Sequence, residues 1–463
     1  MAERLTPQGI NTVIVGNNRE YFSPIDPHVP DVLKDEFIQS DIDEADMDIM
    51  CHGDNKIVLL PKIVDPAFIS DISRLFRYKN VHVYNPHDNG SGLSKNILQD
   101  SHVYGMVIAS LRVSSDPKVV PWGHTRQYQE LIDALKAEKV IFSTPETPTR
   151  NALWTTEYID TKIGSREILL RAKEKNPKIK IPEGFVCADV NSAMQIADYF
   201  LGTNRGVVFK ANLGAAGIGV HVFPPSEFDR NISANRAKIE AKVKINPLLT
   251  SGPVIVEEYI QPNFSHHGVF PSVDSIVRPD GRVDVQAVNA MVIHYDDEAV
   301  GFYGCMLGRG LFTARQSRKL KQMSEAIGQE LSKLGYIGWY DVDYILSQAG
   351  DFYTTECNLR RTSICYMLDL AELLFGEDYE TKMAMRSNDK YMRLNIQGLS
   401  YVDLKTSLAP VLYPMDDQQR GVVITQSFRS MYDRGKFGYV SIGKDQEDTR
   451  NIELQLDGIL SKI

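Results

Sequence analysis

The stretch Tyr340–Arg361, YDVDYILSQAGDFYTTECNLRR, decides the fold. Asp341–Leu346 alternates and is rich in β-formers, Gln348–Asp351 supplies a glycine-containing turn, and Phe352–Asn358 runs back, so the stretch reads as a β-hairpin. A turn centred on Ala349 and Gly350 sets Asp343 opposite Glu356 and Asp341 opposite Asn358. Side chains alternate along a strand, so these four oxygen-bearing groups share one face. Opposed carboxylates repel unless a cation lies between them. Such a face suits a hard divalent metal, and Mg2+ with a phosphate is its usual use. A solvated acidic face is the plainer alternative. The opposite face pairs Val342, Tyr344 and Leu346 with Cys357, Thr355 and Tyr353, is only partly apolar, and does not decide between the two.

The 463 residues leave room for roughly two to four lobes. Hydrophobic residues at 43% and charged residues at 24% place the chain among ordinary globular proteins. A net charge of −9 argues against nucleic acid or an acidic membrane as partner, while leaving room for a local basic pocket. Five scattered cysteines without a CxxC pair suggest reduced thiols in the cytoplasm. No apolar run approaches the roughly 20 residues of a membrane span, and MAERLTPQGI has no apolar signal core.

Around the hairpin the chain reads as α/β. Thr12–Val15, Lys56–Leu60 and Val81–Tyr84 are short strands, with Pro66–Phe76 helical, which suggests parallel βαβ units. The acidic stretch Asp41–Asp48 reads as a solvated loop or helix start. Asp160–Lys173 and Ser192–Leu201 read as helices, and Val254–Ile260 and Val283–His294 as strands. Ser317–Leu334 is a helix stopped by Gly335. From Gly376 onward the helices Tyr401–Leu412 and Glu447–Leu460 and the strands Gly421–Thr425 and Gly438–Ile442 carry no evident chemistry.

Strand Gly206–Lys210 runs into ANLGAAGIGV, and Val220–Phe223 follows as a strand. No GxxxxGK[ST] occurs and no helix follows, so this is neither a P-loop nor a dinucleotide fingerprint. A glycine-rich hairpin with small residues at its tip can instead lie over a phosphate chain and offer backbone N–H groups. Lys210 adds a point charge. A mobile surface hairpin is the competing reading. Glu257-Glu258-Tyr259-Ile260 ends a strand whose backbone suits an adenine edge, or is an ordinary strand boundary. Arg309, within Gly308-Arg309-Gly310, is a candidate for a substrate carboxylate or a plain turn residue. Adjacent His266 and His267 lack the partners of a zinc site.

Taken in order, these features resemble the ATP-grasp superfamily. The resemblance is carried by Asp160-Thr161-Lys162, by Val207–Val220, by Val254–Ile260, and by Glu356-Cys357-Asn358-Leu359-Arg360, which is similar to the E-x-N-x-R signature. It spans about Thr156 to Gly376. Val13-Ile14-Val15-Gly16-Asn17, Val119–Lys139 and the tail from Gly435 are similar to peptide ligases of the pheganomycin type, which carry a pre-ATP-grasp domain.

The resemblance implies a Rossmann-like pre-ATP-grasp domain over 1–150, and an ATP-grasp core over 151–375 with a Gly-rich lid at about 201–262 and the metal hairpin. Residues 376–463 would complete the lobe. It implies that Lys162 and Lys210 hold ATP phosphates, and that Gly214, Ala215, Ala216 and Gly217 close as a lid. Glu257 or Glu258, with Tyr259 and Ile260, would frame the adenine. Asp343, Glu356 and Asn358 would bind Mg2+, and Arg360 rather than Arg361 would meet the transferred phosphate. Asp341 is left to an outer or substrate-facing role. The implied activity is ATP-dependent carboxylate–amine ligation through an acyl phosphate, on an amino acid or short peptide. A small-molecule kinase, a non-amine ligase and a non-catalytic ATP-binding module are the alternatives, and a homodimer stays open.

Overall fold

The computed structural model describes residues 7–29, 31–214, 217–229, 231–295, 300–426 and 434–463. Short apolar runs near the N-terminus form β1 (Thr12–Val15), β2 (Lys56–Leu59), β3 (Val81–Tyr84) and β4 (Lys118–Pro121). They pair in parallel in the order β3-β2-β1-β4, and β1 and β2 are buried at every position. Continuous apolar strands of this kind need cover on both faces. The Pro66–Leu75 helix between β2 and β3 begins where the Asp65 side chain accepts from the Ala67 N–H, with Pro66 in the first turn.

The acidic stretch departs from expectation. The Asp31–Glu44 helix and the 3-10 turn Ala45–Met50 bury Asp41, Asp43, Asp46 and Asp48. Lys62 reaches Asp43 at 3.0 Å and Asp46 at 2.9 Å, which makes their burial tolerable. The partner lies outside the acidic run, so the run by itself looks solvated.

A small antiparallel sheet holds β5 (Gly184–Cys187), β6 (Val207–Ala211), β7 (Val220–Phe223) and β8 (Val254–Glu258) in the order β5-β8-β6-β7. Phe209, Phe223 and Val256 pack there with Ala193 and Phe200 of the Val190–Gly202 helix. The helix expected over Asp160–Lys173 starts two residues later. A π-helical turn, Thr155–Ile159, precedes it, and Thr161 then caps a new helix, Lys162–Lys175, by accepting from Gly164. Asp160 is thereby freed to face the hairpin.

The third sheet is antiparallel and eight-stranded, in the order β13-β12-β9-β10-β11-β14-β16-β15. Its strands are β9 (Pro271–Val277), β10 (Val283–Tyr295), β11 (Val300–Gly308), β12 (Gly338–Leu346), β13 (Phe352–Asn358), β14 (Ala384–Met392), β15 (Gly421–Ile424) and β16 (Lys436–Gly443). The Ala314–Lys333 helix covers one face, with Leu320, Met323, Ile327 and Leu331 in a cluster with Val273, Tyr340 and Val342. Gly335 stops it at φ +85°, as the sequence predicts.

The hairpin β12–β13 pairs Asp341 with Asn358, Val342 with Cys357 and Asp343 with Glu356, the register expected. A bulge then shifts the ladder by one residue, so Tyr344 pairs with Thr354 and Leu346 with Phe352. Thr354 and Phe352, rather than Thr355 and Tyr353, therefore face the core. All five cysteines are free and buried. No helix among the described residues is long and apolar enough to cross a membrane.

Candidate functional site

The polar face of the large sheet, the β6–β8 edge of the small sheet and the Asp31–Glu44 helix enclose a cavity of about 700 Å3. Strand register writes its floor. Glu356, Asp343, Ser272 and Asn289 lie side by side across β13, β12, β9 and β10, and Asn358, Asp341 and Asp274 form the next row. All seven line the cavity.

Cations stand over one side of this floor. Lys162, in the first turn of its helix, forms an ion pair with Glu356. The Lys162 N–H donates to the Asn212 carbonyl at 3.0 Å, which ties that helix start to the chain just after β6. Lys210, on β6, reaches Glu257 of β8 at 2.7 Å and donates to the Thr355 carbonyl at 3.3 Å. Glu257 is shared: Arg166 meets it at 2.6 Å and also donates to the carbonyls of Gly184 and Pro182. Sequence reading missed Arg166, although it lies four residues after Lys162 and so on the same helix face.

Electrostatics divide the acids. Burial would raise the Glu356 carboxyl, but Lys162, then Lys210 and Arg360, outweigh it and hold the group below its ordinary value. Burial, then the charges of Asp341 and Glu356, push Asp343 well above the usual carboxylate range. Burial and the Asp341 charge do the same to Asp274. Burial raises Asp341 to about 6, with Arg360 opposing. Repulsion of this kind is relieved by a proton or by a cation.

Oxygen Oδ1 of Asp343 and Oδ1 of Asp341 are buried without a hydrogen-bond partner. Among the described residues no three His, Cys, Asp or Glu side chains converge as a finished metal cage. The set Asp343, Glu356 and Asn358 nonetheless fits Mg2+. That ion takes oxygen ligands, keeps several waters, and is held by one or two carboxylates together with substrate phosphates.

Arg360 and Arg361 part company at the strand end. Both line the cavity, but the Arg360 guanidinium lies 5.0 Å from the ring of Phe22 and 5.7 Å from that of Trp122, with Asp160 at 3.2 Å. Arg361 is 4% exposed, paired with Glu146 and laid over Trp339 at 5.1 Å. Its N–H donates to the Trp122 carbonyl at 3.1 Å, so it clasps the N-terminal region to the hairpin.

Most of the remaining expected residues line the same cavity. Glu257 serves the two cations rather than standing open at a strand end. The Glu258 side chain points the other way, accepting from the Glu183 N–H at 2.9 Å and pairing with Arg205 at 3.2 Å. Glu257, Glu258, Tyr259, Ile260 and Gly217 line the cavity, while Gly214 lies outside its lining. Ala215 and Ala216 fall outside the described residues. Arg309 is a correction: it sits on an exposed turn after β11, and it is absent from the cavity wall. Gly308 and Gly310, at φ +90° and +80°, carry that turn, and the Arg309 N–H is held by the Met383 carbonyl at 2.9 Å.

The C-terminal region, read as carrying no chemistry, sends Lys390 of β14 and Lys436 of β16 into the cavity wall opposite Ser40 and Glu44. Lys436 donates to the Ser40 hydroxyl at 2.9 Å.

No protein-family profile and no curated protein sequence matches the chain. Solved structures do. The chain is similar to an ADP complex of N5-carboxyaminoimidazole ribonucleotide synthetase, at 12% identity and a TM-score of 0.52 over 100% of this chain and 99% of that one. It is similar to a biotin carboxylase–β,γ-ATP complex from Campylobacter jejuni, at 12% identity and 0.52 over 95% and 89%. N5-carboxyaminoimidazole synthase from Aspergillus clavatus, with ADP and 5-aminoimidazole ribonucleotide, matches at 10% identity and 0.50 over 98% and 100%. The shared architecture, a parallel N-terminal sheet followed by a small and a large antiparallel sheet with a cavity between them, is the ATP-grasp fold.

Proposed function

We propose that the chain is an ATP-dependent, ADP-forming ligase that joins a carboxylate to an amine through an acyl phosphate, with amino acids or short peptides as substrates. One observation carries the proposal: Lys162, Lys210 and Arg360 converge on the same cavity floor as Asp343, Glu356 and Asn358, where an Asp343 oxygen lacks a partner. Cations on one side and a divalent-metal face on the other match a polyphosphate chain with its counter-ion. The three similar structures were solved with adenine nucleotides, which favours ATP as that chain.

The residues then take these roles. Lys210 leaves Glu257 to meet phosphate oxygens, and Lys162 meets them from the helix start. Asp343, Glu356 and Asn358 would hold Mg2+, which would offset charge on the phosphates. Arg360, fixed by its aromatic neighbours and Asp160, faces the transferred phosphoryl group. The substrate carboxylate attacks the γ-phosphorus and ADP departs. The amine gives up a proton to a neighbouring carboxylate and attacks the acyl carbon. The C–N bond forms as the acyl C–O bond breaks, phosphate leaves with that bonding pair, and the nitrogen's second proton passes to the departing phosphate. The loop at Gly217 lies against β11 and excludes water from the acyl phosphate.

The experiment is incubation with Mg-ATP and pooled amino acids, following ADP, AMP and new amide masses. ADP with an amide is the expected result. AMP release overturns the acyl-phosphate route, and ADP with a stable phosphorylated product and no amide identifies a kinase.

A further inference from the structure

The floor holds acceptors that the nucleotide and metal roles leave unused. Asp274 on β9 stands opposite Asp341 on β12, and both are buried. The Thr362 hydroxyl donates to Asp274 Oδ1 at 2.7 Å, and Asn289 Nδ2 donates to Asp274 Oδ2 at 2.7 Å. That second bond fixes the Asn289 amide, because turning it would set its oxygen against the carboxylate. Asn289 Oδ1 is left without a donor although the residue is 1% exposed and lines the cavity. Asp341 Oδ1 is likewise without a donor, while its Oδ2 accepts from the Ser272 hydroxyl at 3.3 Å.

Acceptors buried without donors are costly, so the site lacks a group that only donates. The neighbouring cations are held elsewhere: Lys162 on Glu356, Lys210 on Glu257 and Arg360 on Asp160. A primary ammonium has three donors, no acceptor and a single charge. Its three donors match Asn289 Oδ1, Asp341 Oδ1 and a remaining lone pair of Asp274.

We infer that Asp274, Asn289 and Asp341 bind the ammonium group of the amine substrate, an amino acid or a peptide presenting its N-terminus. The inference rests on the ligase reading and names its amine subsite. Asp341 lies two residues along β12 from Asp343, about 7 Å, so this nitrogen sits beside the place where the acyl phosphate forms.

The test compares the wild-type chain with Asp274→Asn and Asn289→Asp, using Mg-ATP with pooled amino acids and, separately, with hydroxylamine as the nucleophile. Hydroxylamine is uncharged near neutral pH and needs no ammonium site. Loss of a charged hydrogen bond predicts that Asp274→Asn raises the amine concentration for half-maximal amide formation about tenfold or more. Hydroxamate formation should fall less than about threefold, and half-saturation by Mg2+ should move less than about twofold. Calorimetric titration of methylammonium into the Mg-ADP complex should show binding in the wild type and in Asn289→Asp, and none in Asp274→Asn. The Mg-ADP thermal shift of Asp274→Asn reports whether it is folded. A parallel fall of amide and hydroxamate overturns the subsite while leaving the ligase reading intact. A rise in the Mg2+ requirement replaces the ammonium with a second metal ion. A wild-type chain that forms neither ADP nor hydroxamate overturns the ligase reading and this assignment with it.

Discussion

Replacing Glu257 with Gln removes the one anion that two buried cations share. Glu257 is 6% exposed, Lys210 12% and Arg166 10% at the side chain, with separations of 2.7 and 2.6 Å. Removing one partner of a buried pair leaves an uncompensated charge and costs about 3–5 kcal/mol. Arg166 keeps its two carbonyl acceptors and Lys210 keeps Thr355, so the lower end, about 3 kcal/mol, is expected. Lys210→Met should cost less, about 1 kcal/mol, because Glu257 still has Arg166. Urea unfolding followed by circular dichroism measures both. The variant also has a second signature. In the wild type a phosphate must draw Lys210 away from Glu257, whereas in Glu257→Gln the phosphate restores a missing anion. Mg-ATP should therefore raise the melting temperature of the variant more than that of the wild type. A Glu257→Gln midpoint within about 0.5 kcal/mol of wild type would refute the shared-anion account, since surface changes stay in that range.

Three further outcomes follow from the geometry. Gly217 has φ +92°, and a Cβ there would lie 1.7 Å from the Val300 carbonyl oxygen, so Gly217→Ala must lift the loop off β11. A strain of about 1–3 kcal/mol predicts a roughly 5- to 150-fold loss in kcat/KM with little change in the unfolding midpoint. Unaltered kinetics would separate this contact from closure. Asp343→Asn should raise the melting temperature without metal, by removing a buried carboxyl whose ionisation burial and Asp341 oppose, and should shrink the stabilisation by Mg-ADP; an undiminished Mg-ADP shift would take Asp343 out of the metal set. Burial, then the Glu44 charge, push Asp389 up to about 7 from an ordinary 3.8, so the folded protein keeps a proton that the unfolded chain loses above about pH 4. The Asp389 contribution to stability therefore falls as pH rises through that window, by roughly 4 kcal/mol in all, and Asp389→Asn should match wild type at about pH 4 and exceed it at about pH 8. A pH-independent difference would contradict this.

Legibility tracked periodicity and local chemistry. The hairpin register could be read because its turn and its acidic alternation lie within a short span of chain, yet the bulge after Asp343 leaves no mark in the residues. β11 and β14 escaped for different reasons. VGFYGCMLG carries three glycines, and AMRSNDKYM buries Ser387 and Asp389 where an apolar alternation would have signalled a strand. Lys210 could be picked out by the glycine-rich loop that follows it and Lys162 by the resemblance alone, whereas Arg166 and Asn289 acquire meaning only from partners distant in sequence. Arg309 shows the converse: glycines on both sides suggested a close approach to ligand, and they serve an exposed turn instead.

The central claim is a phosphorylated carboxylate on this cavity floor. It is tested most directly by supplying Mg-ATP, hydroxylamine and pooled amino acids labelled with 18O in the carboxylate, then measuring label in released phosphate by mass spectrometry. The account predicts ADP, hydroxamate and one 18O transferred to phosphate per hydroxamate formed. Label in AMP, or hydroxamate with unlabelled phosphate, would contradict it.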